Sequence, residues 1–203
     1  MDKSFFSEFE NLFNHSIEIS DDAVRILKPD EVKEQIHKLA ELSALGTGIK
    51  QGFARYLIRM IAMEMGTYPA SIHELYIARG KGKYPFTFSV PALNLRVLAF
   101  DSAKAAFRAA MKMNGAAIIF EIARSEMGYT DQKPTEYATS ILAAAIAEDY
   151  KGPVFIQGDH FQVSLKKYGA DPEGEMKALK TLIREALAAG FFNIDIDTST
   201  LVD

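Results

Sequence analysis

The chain has 203 residues, 48% hydrophobic and 25% charged, with a formal net charge of -4. That balance is ordinary for a globular protein and gives no reason to expect nucleic acid or an anionic membrane as partner. There are no cysteines, which excludes disulfides, thiolate metal sites and a cysteine nucleophile; a metal site must use His, Asp, Glu or water.

The start, MDKSFFSEFENLF, interrupts its apolar residues with acids and does not read as a secretory signal. The apolar stretches are amphipathic and shorter than a membrane span. A soluble, cytoplasmic protein is expected, and the absence of cysteine fits that compartment.

Residues 1–82 read as an α-helical N-terminal region. In KPDEVKEQIHKLAELSALG, Pro29 and Asp30 mark a helix entrance, and Val32, Ile36, Leu39 and Leu42 form one apolar stripe. KQGFARYLIRMIAMEMG repeats the pattern with Phe53, Leu57, Met60, Ile61 and Met65, and Gly66 is placed to stop it. TYPASIHELYIARG offers a proline start, a capping-box spacing from Ser71 to Glu74, and Gly80 as a stop. His15, His37 and His73 fall here without acids or histidines at a repeating ligand spacing, and read as ordinary residues. The basic loop ARGKGKYP reads as a solvated connection.

From about residue 83 the period changes. YPFTFSVPALN reads as a strand, and DSAKAAFRAAMKMNG as a helix capped by Asp101 or Ser102. AAIIFEIA is a short strand, KPTEYATSILAAAIAEDYKG a helix, and PVFIQG a strand. DPEGEMKALKTLIREALAAG is the clearest helix, with Asp171 as cap, Pro172 after it, and Gly190 beyond its end; FFNIDID is a further strand. Strand and helix alternate, and the strands are continuously apolar, which predicts a parallel sheet covered on both faces. Neither GxGxxG nor GxxxxGK[ST] is present, so a (β/α) barrel is preferred over a nucleotide-binding fold. An eight-fold barrel typically needs about 250 residues. Residues 83–203 are therefore expected to form about four β/α units of an incomplete TIM (β/α)8 barrel, truncated after the fourth strand and poorly stable alone.

Parallel barrels carry their chemistry at the C-terminal ends of strands. Those ends supply Asn94; then Glu121, Arg124, Ser125 and Glu126; then Gln157, Asp159, His160 and Gln162; then Asp195, Asp197, Thr198 and Ser199. Acids, amides, one histidine and one arginine on one rim suit a divalent metal with a carboxyl group that shuttles protons. Gly158 is expected to let the backbone turn so that Asp159 and His160 aim differently. The alternative is that Asp159 caps a loop and His160 packs beside a helix. In IDID the two carboxylates share one strand face. They need a cation or donors nearby, or else the strand end is wet. Asp197, nearer the end, is the stronger site candidate.

FSVPALNLRVLAFDSAKAAFRAAMKMNGAAIIFEIA, PVFIQGDH and GFFNIDIDTS together resemble the class II, metal-dependent fructose-bisphosphate and tagatose-bisphosphate aldolases. The likeness covers residues 85–203, and lies in four strand ends in the right order. It implies a lyase of carbohydrate metabolism that reversibly cleaves a ketose (bis)phosphate, with Zn2+ or another divalent metal as cofactor and a homo-oligomeric complete protein. Under it, Asp159 is the catalytic proton carrier, His160 a metal ligand, and Asp197 an acid supporting the metal site. Asn94, Ser125 and Gln157 contact the phosphorylated sugar substrate. The sequence departs from the family in three ways. Gln157 stands where a histidine is usual, Glu121 and Ala123 stand where the family has Gln and Ser, and the helical front is longer. The remaining family metal ligands come from later strands, so the chain alone is expected to be inactive. Two other readings stand beside this one: a non-catalytic half-barrel subunit that completes its sheet by self-association, and another metal-dependent (β/α) barrel lyase or isomerase using magnesium or manganese.

Overall fold

The computed structural model describes residues 3–20, 23–115 and 117–202. In chain order the front contains α1 (Lys3–Leu12), β1 (Ile17–Ile19), β2 (Val24–Ile26), α2 (Pro29–Leu45), α3 (Gly48–Glu64), β3 (Thr67–Ala70) and α4 (His73–Gly80). Then come β4 (Ala92–Asn94), α5 (Ala99–Lys112), β5 (Ile119–Ala123), α6 (Arg124–Thr130) and α7 (Pro134–Ala147). The last part holds β6 (Gly152–Asp159), α8 (Leu165–Ala170), α9 (Pro172–Ala189) and β7 (Asn193–Ile194), with a 3-10 turn at Ser199–Leu201. Two compact units form, and neither is continuous in sequence. One takes Met1–Tyr68, Leu98–Gly115 and Thr139–Val154; the other takes Pro69–Val97, Ala116–Ala138 and Phe155–Asp203.

The first unit is mainly helical. Pro29 opens α2 and Asp30 and Glu31 occupy its first turn, where carboxylates meet the positive end of the helix dipole. Val32, Ile36 and Leu39 are buried as the stripe predicts, and Phe53, Leu57, Ile58 and Ile61 do the same for α3. Phe9 of α1 meets the Phe53 ring edge-on at 4.8 Å. Inside this unit the Ser43 and Thr139 hydroxyls pair at 2.7 Å, so neither buried oxygen is orphaned.

The front is not all-helical. β1 and β2 form an antiparallel hairpin with Ile17 opposite Ile26 and Ile19 opposite Val24. Alternation in IEI and VRI drives it, burying Ile17 and Val24. TYPA is the strand β3 rather than the start of a helix, and α4 begins only at His73. The cap of α5 also differs from expectation: the helix starts at Ala99 after Leu98, which has φ +50°, and Asp101 lies within the first turn.

In the second unit β4, β5 and β6 pair in parallel, and β7 pairs in parallel with the C-terminal part of β6. The sheet order is β3-β6-β5-β4, with β7 beside β6. The protein is thus α/β with a four-stranded parallel set whose strands follow chain order. The first and fourth strands are shorter than the sequence suggests. Of YPFTFSVPALN only Ala92–Asn94 is strand, and upstream the Arg79 guanidinium lies over the Phe86 and Phe88 rings. Proline at 85 and 91 removes ladder donors there. α9 follows expectation closely. Asp171 Oδ1 accepts from Gly174 N at 3.0 Å, Pro172 opens the helix, and Gly190 closes it at φ +102°.

Register places four polar residues in one row across the parallel strands: Asn94 beside Glu121, Glu121 beside Gln157, and Gln157 beside Asn193. In-register neighbours share a face. Two residues earlier on that face, Ile119 and Phe155 pack with Ile72, and Leu75 adds to the cluster. The face therefore changes from apolar to polar toward the C-terminal strand ends. Among the described residues, no helix is long and apolar enough to cross a membrane.

Candidate metal centre

β6 ends at Asp159, and the next residue, His160, takes φ +44°. A non-glycine residue in this left-handed region is uncommon and costs conformational energy. The turn that separates Asp159 from His160 therefore sits at His160 and not at Gly158. Gly158 has another role: a Cβ there would lie 2.5 Å from Phe161 Cζ. Its missing side chain admits the fully buried Phe161 ring.

Backbone bonds continue the β6–β7 contact past the strand ends. Asp195 N donates to the Gly158 carbonyl at 2.8 Å, and Phe161 N donates to the Asp195 carbonyl at 2.9 Å. This brings the two acids of IDID onto His160. Asp197 Oδ2 lies 2.9 Å from His160 Nδ1. Asp195 Oδ2 accepts from His160 N at 3.3 Å and lies 3.9 Å from Nδ1. Asp159 Oδ1 is 3.9 Å from Nε2. Ligand atoms of Asp159, His160 and Asp195 all lie within 4.8 Å of one another.

The electrostatics follow from these contacts. The hydrogen bond to Asp197 first, and the Asp159 charge next, raise the His160 pKa above the usual imidazole value. Asp197 is held below the usual carboxylate range, chiefly by the Ser199 side chain, then by Ser199 N–H and His160.

A second network ties Asp159 to the earlier strands. Asn94 Nδ2 lies 3.0 Å from Asp159 Oδ2 and 3.1 Å from Glu126 Oε2. Glu126 is buried and also accepts from Ala123 N at 2.8 Å and Arg96 Nε at 2.5 Å. Burial alone would raise its pKa, but the donors from Ala123, Asn94 and Arg96 outweigh it and the value falls. Below this layer Gln157 Nε2 donates to Glu121 Oε2 at 2.9 Å. Burial first, then the Asp159 charge, push the Glu121 carboxyl up.

Of the residues singled out from sequence, Asn94, Asp159, His160 and Asp197 converge, and Gln157 lies one layer down. Ser125 instead lines a cavity of about 430 Å3 with Arg124, Gln162, Ser164, Lys167 and Thr200. Asp195 takes the place in the metal-sized group that was expected of Asp197, while Asp197 holds the far nitrogen of the imidazole. Glu126 was visible only as an acid beyond the second strand. Its role depends on a contact 32 residues away, which no local pattern carries. Arg124 makes a bidentate pair with buried Glu175 at 2.7 and 3.2 Å and also donates to the Gln162 carbonyl. It braces the loop after β6 from outside the cluster.

No protein-family model, curated protein or solved structure matches the chain.

Proposed function

We propose that the parallel strands belong to a partial (β/α) barrel of the class II aldolase type, and that its rim serves metal-assisted aldol cleavage of a ketose phosphate. The observation that carries this reading is the gathering of Asp159, the last residue of β6, with His160 and Asp195, the first residues past β6 and β7. That is where parallel α/β folds place their chemistry. The group suits a divalent ion: the His160 imidazole and the Asp195 carboxylate stand at ligand spacing and are exposed to an incoming group, with the Asp159 carboxylate beside them to carry a proton. The Asp197 contact to Nδ1 is the carboxylate–histidine arrangement common behind metal-bound imidazoles.

In this reading His160 and Asp195 would hold the ion, Zn2+ or another divalent metal, and Asp197 would fix the ring. When bound, the ion supplies Lewis acidity that polarises a ketone and stabilises negative charge on its oxygen. Asp159 carries the proton exchanged during carbon–carbon cleavage, with its Oδ2 steadied by Asn94. Gln157 and Ser125 contact the phosphorylated sugar, Ser125 from the cavity that also contains Lys167.

Calorimetric titration of the chain with Zn2+, Mn2+ and Mg2+ tests the reading. One ion per chain is expected, lost in His160→Ala and retained in Asp159→Ala. Absence of binding, or unchanged binding in His160→Ala, overturns it. The oxygen-rich donor set also favours a second reading, a magnesium- or manganese-dependent lyase or isomerase. Tighter binding of those ions than of Zn2+ selects it.

A further inference from the structure

We infer that Glu126 locks the Asn94 side chain so that only its carbonyl oxygen is left for a ligand, making this position a reader of hydroxyl groups. The ligand part of this inference rests on the proposed metal-assisted function; the locking of Asn94 does not.

Two carboxylates flank one nitrogen. Asn94 Nδ2 stands 3.1 Å from Glu126 Oε2 and 3.0 Å from Asp159 Oδ2. An ionised carboxylate only accepts hydrogen bonds, and an amide nitrogen has two protons to give. The partners therefore fix the orientation of the amide: turned by half a circle, its oxygen would face two acceptors. Glu126 is the fixed end of this arrangement. It is buried, its pKa is held down, and Oε2 is also bound by the Ala123 N–H. Arg96 Nε secures Oε1 at 2.5 Å. Asp159 lies at the other end, beside His160.

With both protons engaged, Asn94 offers Oδ1 alone, and no protein donor reaches that atom among the described residues. A carbonyl oxygen accepts from a hydroxyl and repels a phosphate oxygen or a ketone oxygen. The ligand atom at Asn94 is then a hydroxyl of a polyhydroxy compound, while any phosphate binds elsewhere. Glu126 acts through Asn94 and is a positioning residue.

The locking is tested by nitrogen-15 NMR of the metal-free chain, with the Asn94 amide assigned by its loss in Asn94→Ala. Slow solvent exchange of both Nδ2 protons is expected in the wild type, and fast exchange in Glu126→Gln with the backbone spectrum retained. Equal exchange in the two overturns the inference. The ligand class is tested by titrating Mn2+-loaded chain with dihydroxyacetone and acetone. A preference of about tenfold for the hydroxylated probe is expected, which both Asn94→Ala and Glu126→Gln abolish. Absence of the preference, or its survival in both variants, overturns the inference. If Mn2+ does not bind, the proposed function fails, and the exchange measurement alone decides the role of Glu126.

Discussion

Asp197 Oδ2 sits 2.9 Å from His160 Nδ1, on the side of the ring opposite the Asp159 carboxylate, which faces Nε2. The two ring nitrogens therefore meet different acids. One contact is a hydrogen bond that sets the tautomer. The other nitrogen, at 3.9 Å from its nearest acid, is free to coordinate.

Removing that brace is expected to loosen the ring. Asp197→Asn should weaken divalent-metal affinity by about 10–100-fold, the usual cost of losing an outer-shell partner. Calorimetric titration of the variant checks it. A variant that binds as tightly as the wild type would show that Asp197 serves only its contact with Ser199 N at 2.8 Å.

Metal binding should strengthen with pH. The Asp197 hydrogen bond and the Asp159 charge keep His160 protonated above the usual 6.5, and a metal needs the neutral imidazole. Below its raised pKa the apparent affinity should climb about tenfold per pH unit for one displaced proton, then flatten. In the metal-free chain the same shift works the other way. The charged His160 adds stability below its unfolded value, and this is lost as pH rises through the folded value. Imidazole proton shifts followed by NMR give that value directly.

Gly158→Ala should destabilise the fold by about 1–3 kcal/mol, the range for overpacking a close-fitted interior. The added methyl meets three atoms of the buried Phe161 ring at 2.5–2.9 Å. Urea unfolding of the variant measures the loss. The double variant with Phe161→Leu, which vacates ring volume, should recover part of it.

Arg124 and Glu175 predict an acid-side dependence. Arg124 first, then the Ser164 N–H, lower the Glu175 pKa against the opposing effect of burial. A depressed carboxylate contributes stability above its unfolded value, near the ordinary 4.5, and loses it as pH falls through the folded value. Glu175→Gln should therefore flatten the stability profile in that window. Arg124→Met leaves a buried carboxylate unpaired and should cost about 3–5 kcal/mol. Denaturant midpoints from pH 3 to pH 7 distinguish the two variants.

Much of the architecture was legible in the sequence. Stripes at Val32, Ile36 and Leu39, and the Asp171, Pro172 and Gly190 punctuation of α9, carry their own physics within one element. So do the apolar runs that became β5 and β6. The hairpin at Ile17–Ile26 carries no clear sequence signal, because three-residue strands give too few alternations to stand out from a helical front. β4 and β7 came out shorter than their apolar runs because strand pairing depends on a neighbour's register, and prolines 85 and 91 lack ladder donors.

Local residue order suffices to put an acid and a histidine after a buried strand, and two further acids in alternation at the end of another. Tertiary structure decided what each one meets. Pairing of β6 with β7 set Asp195 in one group with Asp159 and His160, and Asp197 on Nδ1 of His160. His160 takes a positive φ where β6 ends, and its two ring nitrogens meet Asp159 and Asp197. The β4–β5 register brought Asn94 between Glu126 and Asp159. These contacts span 32 to 65 residues, so they are set by the registers of separate strands and leave no mark in local spacing.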